Sequence, residues 1–252
     1  MSDVQACAEI VLKADPDRFA AVMAAPAPMR EGLFPLHAFA IEVARAPWAT
    51  KEAMIAEMRL QWWRDALAEI AAGGAVRRHE VVTPLAKVLT PEVAQFLDGF
   101  VEVRRWDIYN EPFEDQAHFD DYLNQTGGVF FKALCIASAV PDQGAESFGR
   151  AVAIANWLRA IPELEQRGRI PLLDGSPAGV KALAQSGLDA LRQARRAGVD
   201  RKARPALLAG WQAANILKQA ASNPAYVAEG RLGQSEFAKK TSLLWKAGLN
   251  RF

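Results

Sequence analysis

The sequence has few of the residues that bind transition metals or form disulfide frameworks. Its only two cysteines, Cys7 and Cys135, each lie in an apolar, alanine-rich stretch. Two cysteines this far apart do not make a disulfide framework, which favours a reducing compartment. The three histidines, His37, His79 and His118, are also distant from one another in the chain. A zinc site of the His/Cys type is therefore not expected.

Long apolar runs and a strong excess of charge are absent as well. The longest uncharged apolar run, near 133–140, is far too short to span a membrane. Asp3 and Glu9 interrupt the N-terminal stretch, which does not resemble a secretory signal. The formal net charge of +1 gives no reason to expect a nucleic-acid partner. We therefore expect a cytoplasmic protein, and peripheral contact with the inner membrane stays open.

Alternating β patterns and the signatures of three common chemistries are also missing. The chain contains no G-x-x-x-x-G-K, G-x-S-x-G or H-E-x-x-H motif, so the sequence signatures of phosphate-loop, nucleophile-elbow and zinc-protease chemistry are missing.

Hydrophobic residues make up 51% of the chain, enough for a sizeable core. Helical patterns are plentiful, and we find no internal repeat and no stretch polar enough to be a linker. One all-α domain over 1–252 is the prediction.

Capping residues predict where several helices begin and end. Thr50 fits the N-cap of a helix over 51–72, and the glycine pair at 73–74 fits its end. Thr90 followed by Pro91 fits the first turn of a second helix. Further helical patterns cover 146–161, 180–197, 204–221 and 234–249.

Two glycines and a proline fall inside helical segments. A helix predicted to begin near Asp115 reaches Gly127 and Gly128. Such a pair indicates close approach of another helix or a ligand, or local unwinding. Pro162 is expected to interrupt the helical pattern around it, because proline removes a backbone hydrogen bond and clashes with the preceding turn.

The segment 58–70, MRLQWWRDALAEI, is compatible with two interpretations. Asp65 and Glu69 are four residues apart and share one helical face, where paired carboxylates can hold Mg²⁺. The same segment fits an amphipathic core helix, in which Trp62 and Trp63 pack inside and the charged side chains are solvated.

Two basic segments also leave alternatives open. The range 192–204 holds six basic residues against Asp200, which fits either an anionic docking surface or an exposed helix–loop–helix. The stretch from 235 to the end fits either a basic amphipathic helix lying on a membrane or a helix that covers the core. Its apolar side would carry Phe237, Leu244, Trp245 and Phe252, with Lys239, Lys240, Lys246 and Arg251 among the rest.

Four segments together resemble the squalene/phytoene synthases, the head-to-head prenyl transferases. Their order, spacing and helical setting carry the resemblance, which covers most of the chain. It implies an all-α, single-domain isoprenoid synthase fold, with helices surrounding a central apolar cavity. The segments are LHAFAIEVARA (36–46), RLQWWRDAL (59–67), YLNQTGG (122–128) and NWLRAIPELEQRGRI (156–170).

Active members of this family carry two aspartate-rich motifs on facing helices. Their paired carboxylates hold the Mg²⁺ ions that neutralise the departing diphosphate as charge develops. In this sequence, Glu163 keeps one acid of the second pattern, and Glu42 lies off the metal-binding register of the first. The expected acids fall at Ala44, Arg45 and Trp48 for the first motif, and at Ala160 and Leu164 for the second.

The missing acids make the chain similar to a subset of the family that includes the mitochondrial complex I assembly factor. This resemblance implies a non-catalytic protein without a cofactor, whose partners are complex I subunits or assembly intermediates. It also implies that the cavity is retained for an isoprenoid lipid, with Arg45 or Arg159 able to bind a phosphate. The ligand-binding candidates are Phe39, Glu42, Arg45, Trp62, Asp65, Tyr122, Gly127, Asn156 and Arg159.

Two other functions stay open at this point. One is an active prenyl transferase that holds Mg²⁺ through relocated ligands, for which Glu42, Asp65 and Glu69 are the candidates. The other is a lipid-binding module with no role in assembly.

Overall fold

The helices of the chain are seen in a computed structural model, which describes residues 3–249. Within that range no β-strand occurs. The all-α prediction is confirmed. The helices are α1 (Asp3–Ala14), α2 (Pro16–Ala24), α3 (Ala27–Arg45), α4 (Ala53–Ala71), α5 (Val82–Leu85), α6 (Pro91–Glu102), α7 (Gln116–Leu123), α8 (Phe130–Ala137), α9 (Ala145–Gln166), α10 (Pro177–Ala197), α11 (Arg204–Leu207), α12 (Ala213–Ser222), α13 (Ala225–Ala228) and α14 (Glu236–Gly248).

Helical turns of other types extend several of these helices. The 3₁₀ turns are Ala46–Trp48, Val103–Asp107 and Leu208–Gly210. A π-helical turn, Asn124–Val129, joins α7 to α8. Local unwinding at Gly127 and Gly128, one of the predicted alternatives, is therefore present. The predicted start of α4 is wrong by two residues, because Thr50 accepts a hydrogen bond from the Glu52 amide in the turn before the helix.

Two predicted helix starts are confirmed, and each has a side-chain cap. The Thr90 hydroxyl accepts a hydrogen bond from the backbone amide of Val93 at the start of α6. Oδ1 of Asp115 accepts one from the His118 amide at 2.8 Å, and α7 begins at the next residue. Each bond satisfies a backbone donor that the first turn of a helix leaves without an intrahelical acceptor.

The predicted interruption at Pro162 is wrong. Helix α9 passes through Pro162 and continues for one more turn to Gln166. Ile161 and Leu164 are both buried, so apolar packing of this last turn offsets the hydrogen bond that proline cannot donate.

The single helix predicted over 204–221 is also wrong. Helix α11 ends at Leu207, a 3₁₀ turn follows, and α12 begins only at Ala213. A Cβ atom placed on Gly210 would lie within 2.7 Å of the Phe148 ring, so the backbone approaches α9 closely at the break. Glycine also has a low helix propensity, which favours ending the helix at this contact.

The chain divides into two compact units, each assembled from three separate segments. Within the described range, unit 1 comprises 3–109, 133–141 and 202–209. Its helices pack as the pairs α1 with α3 and α4 with α6. The fully buried Phe39 ring contacts Trp63 and Phe100, with ring centroids 5.5 and 5.6 Å apart. Cys7 and Cys135 are buried thiols of this unit.

Unit 2 comprises 110–132, 142–201 and 210–249 of the described range. Its central helix is α9, which packs against α10, α12 and the π-helical turn. A Cβ atom on Gly127 would lie 2.6 Å from the Ala153 Cβ and closer still to the carbonyl oxygen of Gly149. The close approach predicted at Gly127 is therefore that of helix α9.

Candidate functional site

The first set of expected acid positions lies where α3 ends and the following 3₁₀ turn begins. Ala44 and Trp48 are half-buried, whereas Arg45 is exposed. The Arg45 guanidinium donates a hydrogen bond to Oε1 of Glu42 at 3.1 Å, one turn earlier on the same helix. The carboxylate closest to this motif in the sequence is thus paired with a cation of its own helix.

The second set lies on the last two turns of α9. Leu164 is only 8% exposed, and Ala160 is half-buried. Asn156 and Arg159 are both exposed. Glu163 is exposed as well and pairs with Arg167. This face of the helix therefore presents small and apolar groups where the family pattern places aspartates.

The side chains at these positions do not fit magnesium. Mg²⁺ requires near-octahedral oxygen ligation, usually from carboxylates, phosphates and water. Methyl, indole and isobutyl groups offer no oxygen, and a guanidinium repels a cation. Within residues 3–249, no group of three or more His, Cys, Asp or Glu side chains is arranged to hold a metal ion.

The carboxylate pair on α4 has different surroundings from those a metal site needs. Glu69 accepts hydrogen bonds from the Arg77 guanidinium, with Nη2 to Oε1 at 2.6 Å and Nε to Oε2 at 3.0 Å. These bonds lower the pKa of Glu69 from its ordinary 4.5 to about 2. Asp65 is exposed and accepts a hydrogen bond from Gln61 Nε2 at 2.7 Å.

Sequence reasoning missed Arg77, which organises this part of unit 1. Its guanidinium lies 4.8 Å from the centre of the Trp62 ring, in addition to holding Glu69. Trp62 is half-buried against His79, whereas Trp63 is buried in the core. The only available signal was the glycine pair at 73–74, which ends α4 and lets the chain turn back.

The expectation that the charged residues of α4 are all solvated also needs correction. Arg64 is partly buried and pairs with Asp98 through two bonds of 2.7 and 2.8 Å. The same guanidinium also contacts Glu102. Because Asp98 and Glu102 belong to α6, this ion-pair group connects two helices of the unit. A bidentate guanidinium–carboxylate geometry is favourable for such a contact.

The aromatic ligand candidate of unit 2 is packed among other rings. Tyr122 is buried, and its ring centroid lies 5.1 Å from Trp157 and 5.5 Å from Phe113. The indole Nε1 of Trp157 donates a hydrogen bond to the Pro171 carbonyl at 3.0 Å. Ligand contact by Tyr122, Gly127, Asn156 and the other candidates stays a prediction.

Solved structures with the same arrangement of helices define the class of fold. A crystal structure of a dehydrosqualene synthase in complex with ligand matches with a TM-score of 0.75 and 16% identity, covering 98% of this chain and 95% of that one. A squalene synthase from Alicyclobacillus acidocaldarius matches with a TM-score of 0.60 and 17% identity, covering 99% and 95%. The fold is the helical fold of isoprenoid synthases.

The family follows from the sequence match. The pattern that defines the squalene/phytoene synthases matches residues 11–233. The chain therefore belongs to the squalene/phytoene synthase family.

Three curated relatives carry the name NADH dehydrogenase (ubiquinone) complex I, assembly factor 6. Those of Bos taurus and Homo sapiens are each 23% identical over 180 residues, covering 65% of this chain and 51% of theirs. The Mus musculus protein is 22% identical over 170 residues. The chain thus spans about half the length of the curated relatives it matches.

Proposed function

We propose that this chain has the fold of the squalene/phytoene synthases without their metal-dependent prenyl transfer, and that it assists the assembly of respiratory complex I. The observation that carries the proposal is the chemistry at the expected acid positions. They hold alanine, arginine, tryptophan and leucine, and the leucine, Leu164, is packed into unit 2.

The electrostatics of prenyl transfer explain why these substitutions matter. Departure of diphosphate from an allylic carbon separates a cation from a polyanion, and the family mechanism stabilises that polyanion with carboxylate-held Mg²⁺. A guanidinium such as that of Arg45 can bind a phosphate, but it cannot hold a divalent metal. Loss of the carboxylates therefore removes the ionisation step and leaves the helical scaffold.

Support for the assembly role comes from the relatives. The three curated proteins are named as complex I assembly factors, and their alignments cover 65% of this chain. The partners we propose are complex I subunits or assembly intermediates at the membrane surface. Among the helices of 3–249, none combines the length and apolar character needed to cross a bilayer.

The cavity implied by the family fold is the basis for a further part of the proposal. An apolar cavity without its metal cage still suits an isoprenoid or quinone-like lipid, because burial of the chain needs no charge chemistry. Native mass spectrometry and lipid extraction of the purified protein should recover such a molecule. If the protein is purified from membranes rich in isoprenoids and carries no lipid, this part of the proposal is contradicted.

A turnover assay tests the catalytic part of the proposal. The pure protein is incubated with farnesyl or geranylgeranyl diphosphate and Mg²⁺, beside an active dehydrosqualene synthase as positive control. We expect pyrophosphate release equal to the protein-free background. Release above background that disappears in Asp65→Asn would establish the alternative, an active prenyl transferase with relocated ligands.

A deletion strain tests the assembly part. We expect complex I to decrease on deletion and its subunits to co-purify with the tagged protein. A double variant, Glu42→Gln with Asp65→Asn, should restore complex I as well as the unaltered chain does, since the proposal assigns neither carboxylate a metal. Unchanged complex I in the deletion strain, with no subunit recovered, contradicts the proposal.

A further inference from the structure

Helix α14 presents its apolar side to solvent. Phe237, Leu244 and Trp245 are 80%, 72% and 65% exposed, and they follow the i, i+7, i+8 spacing of a single helical face. Thr241 lies between them on the same face. Phe252, predicted for this side, and Arg251, predicted among the basic residues, are outside the described residues.

The opposite side of the same helix faces the rest of unit 2. Leu243 is buried, and the Lys246 ammonium donates a hydrogen bond to the Trp211 carbonyl at 2.9 Å. Lys239 is largely covered and pairs with Glu236. A helix that only covered a core would bury its large apolar side chains, and α14 exposes three of them.

A group of cations adjoins this helix. Lys246 of α14 lies near Arg195 of α10 and Lys218 of α12, and burial together with these two charges lowers the pKa of Lys246. Arg195 and Lys218 are both exposed. Phe237, Trp245 and Lys246 line one groove along the helix, so Lys246 adjoins the aromatic rings.

We propose that the outward face of α14 docks on an anionic lipid bilayer, with Phe237, Leu244 and Trp245 entering the interface and the exposed Arg195 and Lys218 facing lipid phosphates. Aromatic and leucine side chains beside lysine and arginine are the chemistry of helices that lie in a membrane interface. This surface is carried by its own observations and does not rest on the proposed function.

Charge favours a bilayer over a second copy of the chain. In a symmetric dimer the same patch meets itself, so Arg195 and Lys218 would approach their own copies. A bilayer with anionic headgroups instead offers opposite charge to the cations and a thick apolar layer to the rings. The lipid phosphate is thus the partner whose charge complements this face.

Vesicle flotation of the whole chain tests the proposal. We expect co-flotation with phosphatidylcholine–phosphatidylglycerol vesicles and little with phosphatidylcholine alone. Leu244→Glu should reduce binding by about tenfold or more, since it removes apolar insertion and adds a like charge to the anionic surface. The matched control is Leu173→Glu, at an exposed leucine of the same unit outside α14.

Charge variants distinguish electrostatic binding to anionic lipid from nonspecific hydrophobic adsorption. Arg195→Gln and Lys218→Gln should each weaken binding to the anionic vesicles by about fivefold, the effect of one cation near such a surface. Trp245→Phe should reduce quenching of the protein's fluorescence by brominated lipid. Circular dichroism should show unchanged folding, because these side chains are exposed.

Three results would overturn the proposal. One is equal binding to neutral and anionic vesicles, and another is equal loss of binding in Leu244→Glu and Leu173→Glu. The third is a concentration-dependent dimer, seen by analytical ultracentrifugation, that Leu244→Glu dissociates while vesicle binding is absent. That last result would assign the face to a second copy of the chain.

Discussion

At the scale of single residues, the partner of a side chain decides what chemistry remains open to it. Both carboxylate oxygens of Glu69 accept hydrogen bonds from Arg77, so metal binding there would first have to displace a guanidinium. Leu164 shows the same point for an apolar residue. It stands where the family pattern places an aspartate, and its side chain is packed rather than offered to a ligand.

Glu69→Gln should remove a pH dependence of stability. The pKa of Glu69 is about 2 in the folded protein against an ordinary 4.5, so its ionised form stabilises the fold above about 4.5. That contribution is lost as pH falls from about 4.5 towards 2. As pH decreases across this range, the melting temperature should fall more steeply for the unaltered chain than for the variant.

The matched control for this experiment is Glu163→Gln, at an exposed glutamate that pairs with Arg167, four residues later in the chain. Its melts should follow those of the unaltered chain over the same pH range. Parallel pH profiles for Glu69→Gln and the unaltered chain would mean that the Arg77 pair does not contribute. High salt should also reduce the difference, because both side chains are partly exposed.

Leu164→Asp should destabilise the protein by about 3 kcal/mol or more, since it removes a buried side chain and places a carboxylate in apolar surroundings. Ala160→Asp, one turn earlier at a half-buried position, should cost less than about 1 kcal/mol. Urea unfolding of both variants gives the comparison. If both variants lose the same small amount of unfolding free energy, position 164 accepts the family's aspartate without destabilising the fold.

At the scale of secondary-structure elements, two glycines set the distance between α9 and the π-helical turn. A Cβ atom on Gly149 would lie 2.7 Å from the Gly127 carbonyl carbon and 2.8 Å from the Phe131 Cβ. Backbone atoms cannot move aside as the end of a flexible side chain can. The wider helical turn at Asn124–Val129 and the glycine on α9 thus belong to one packing arrangement.

Gly149→Ala should therefore destabilise the protein by about 2 kcal/mol or more through overpacking. Gly248→Ala on α14 is the control, because no atom lies within 4 Å of its added methyl group, and alanine favours a helix. We expect that control to leave the melting temperature unchanged or slightly raised. If Gly149→Ala melts at the same temperature as the control, the close approach is not rigid.

At the scale of the whole molecule, each compact unit is built from segments far apart in the chain. Unit 1 needs the segments 133–141 and 202–209 in addition to its first 109 residues. Those segments supply the fully buried Leu134 and Leu207. The unit is therefore not a consecutive domain, although a single domain over 1–252 stays the prediction of the sequence.

A fragment of residues 1–109 should consequently lack a cooperative thermal transition. It has no access to the buried leucines of the two later segments, and small changes in buried area are large relative to the stability of a domain. Circular dichroism melts of the fragment and of the whole chain provide the test. A sharp transition in the fragment would show that the first 109 residues carry a complete core.

Local signals and family membership were accessible from the sequence alone. The caps at Thr90 and Asp115 were predictable because each capping bond joins residues three apart in the chain. Periodicity identified α4, α6, α9, α10 and α14, and the four matched segments identified the family. The missing aspartates are likewise a property of the aligned sequence and need no coordinates.

Tertiary structure decided the features that depend on contacts between distant residues. The apolar packing of Ile161 and Leu164 carries α9 past Pro162, and the approach of α9 at Gly210 separates α11 from α12. Periodicity shows that α14 has an apolar side but not which way that side points. Its outward direction follows from the burial of Leu243 and the bond of Lys246 to Trp211, because hydropathy is a property of each residue and orientation is a property of its neighbours.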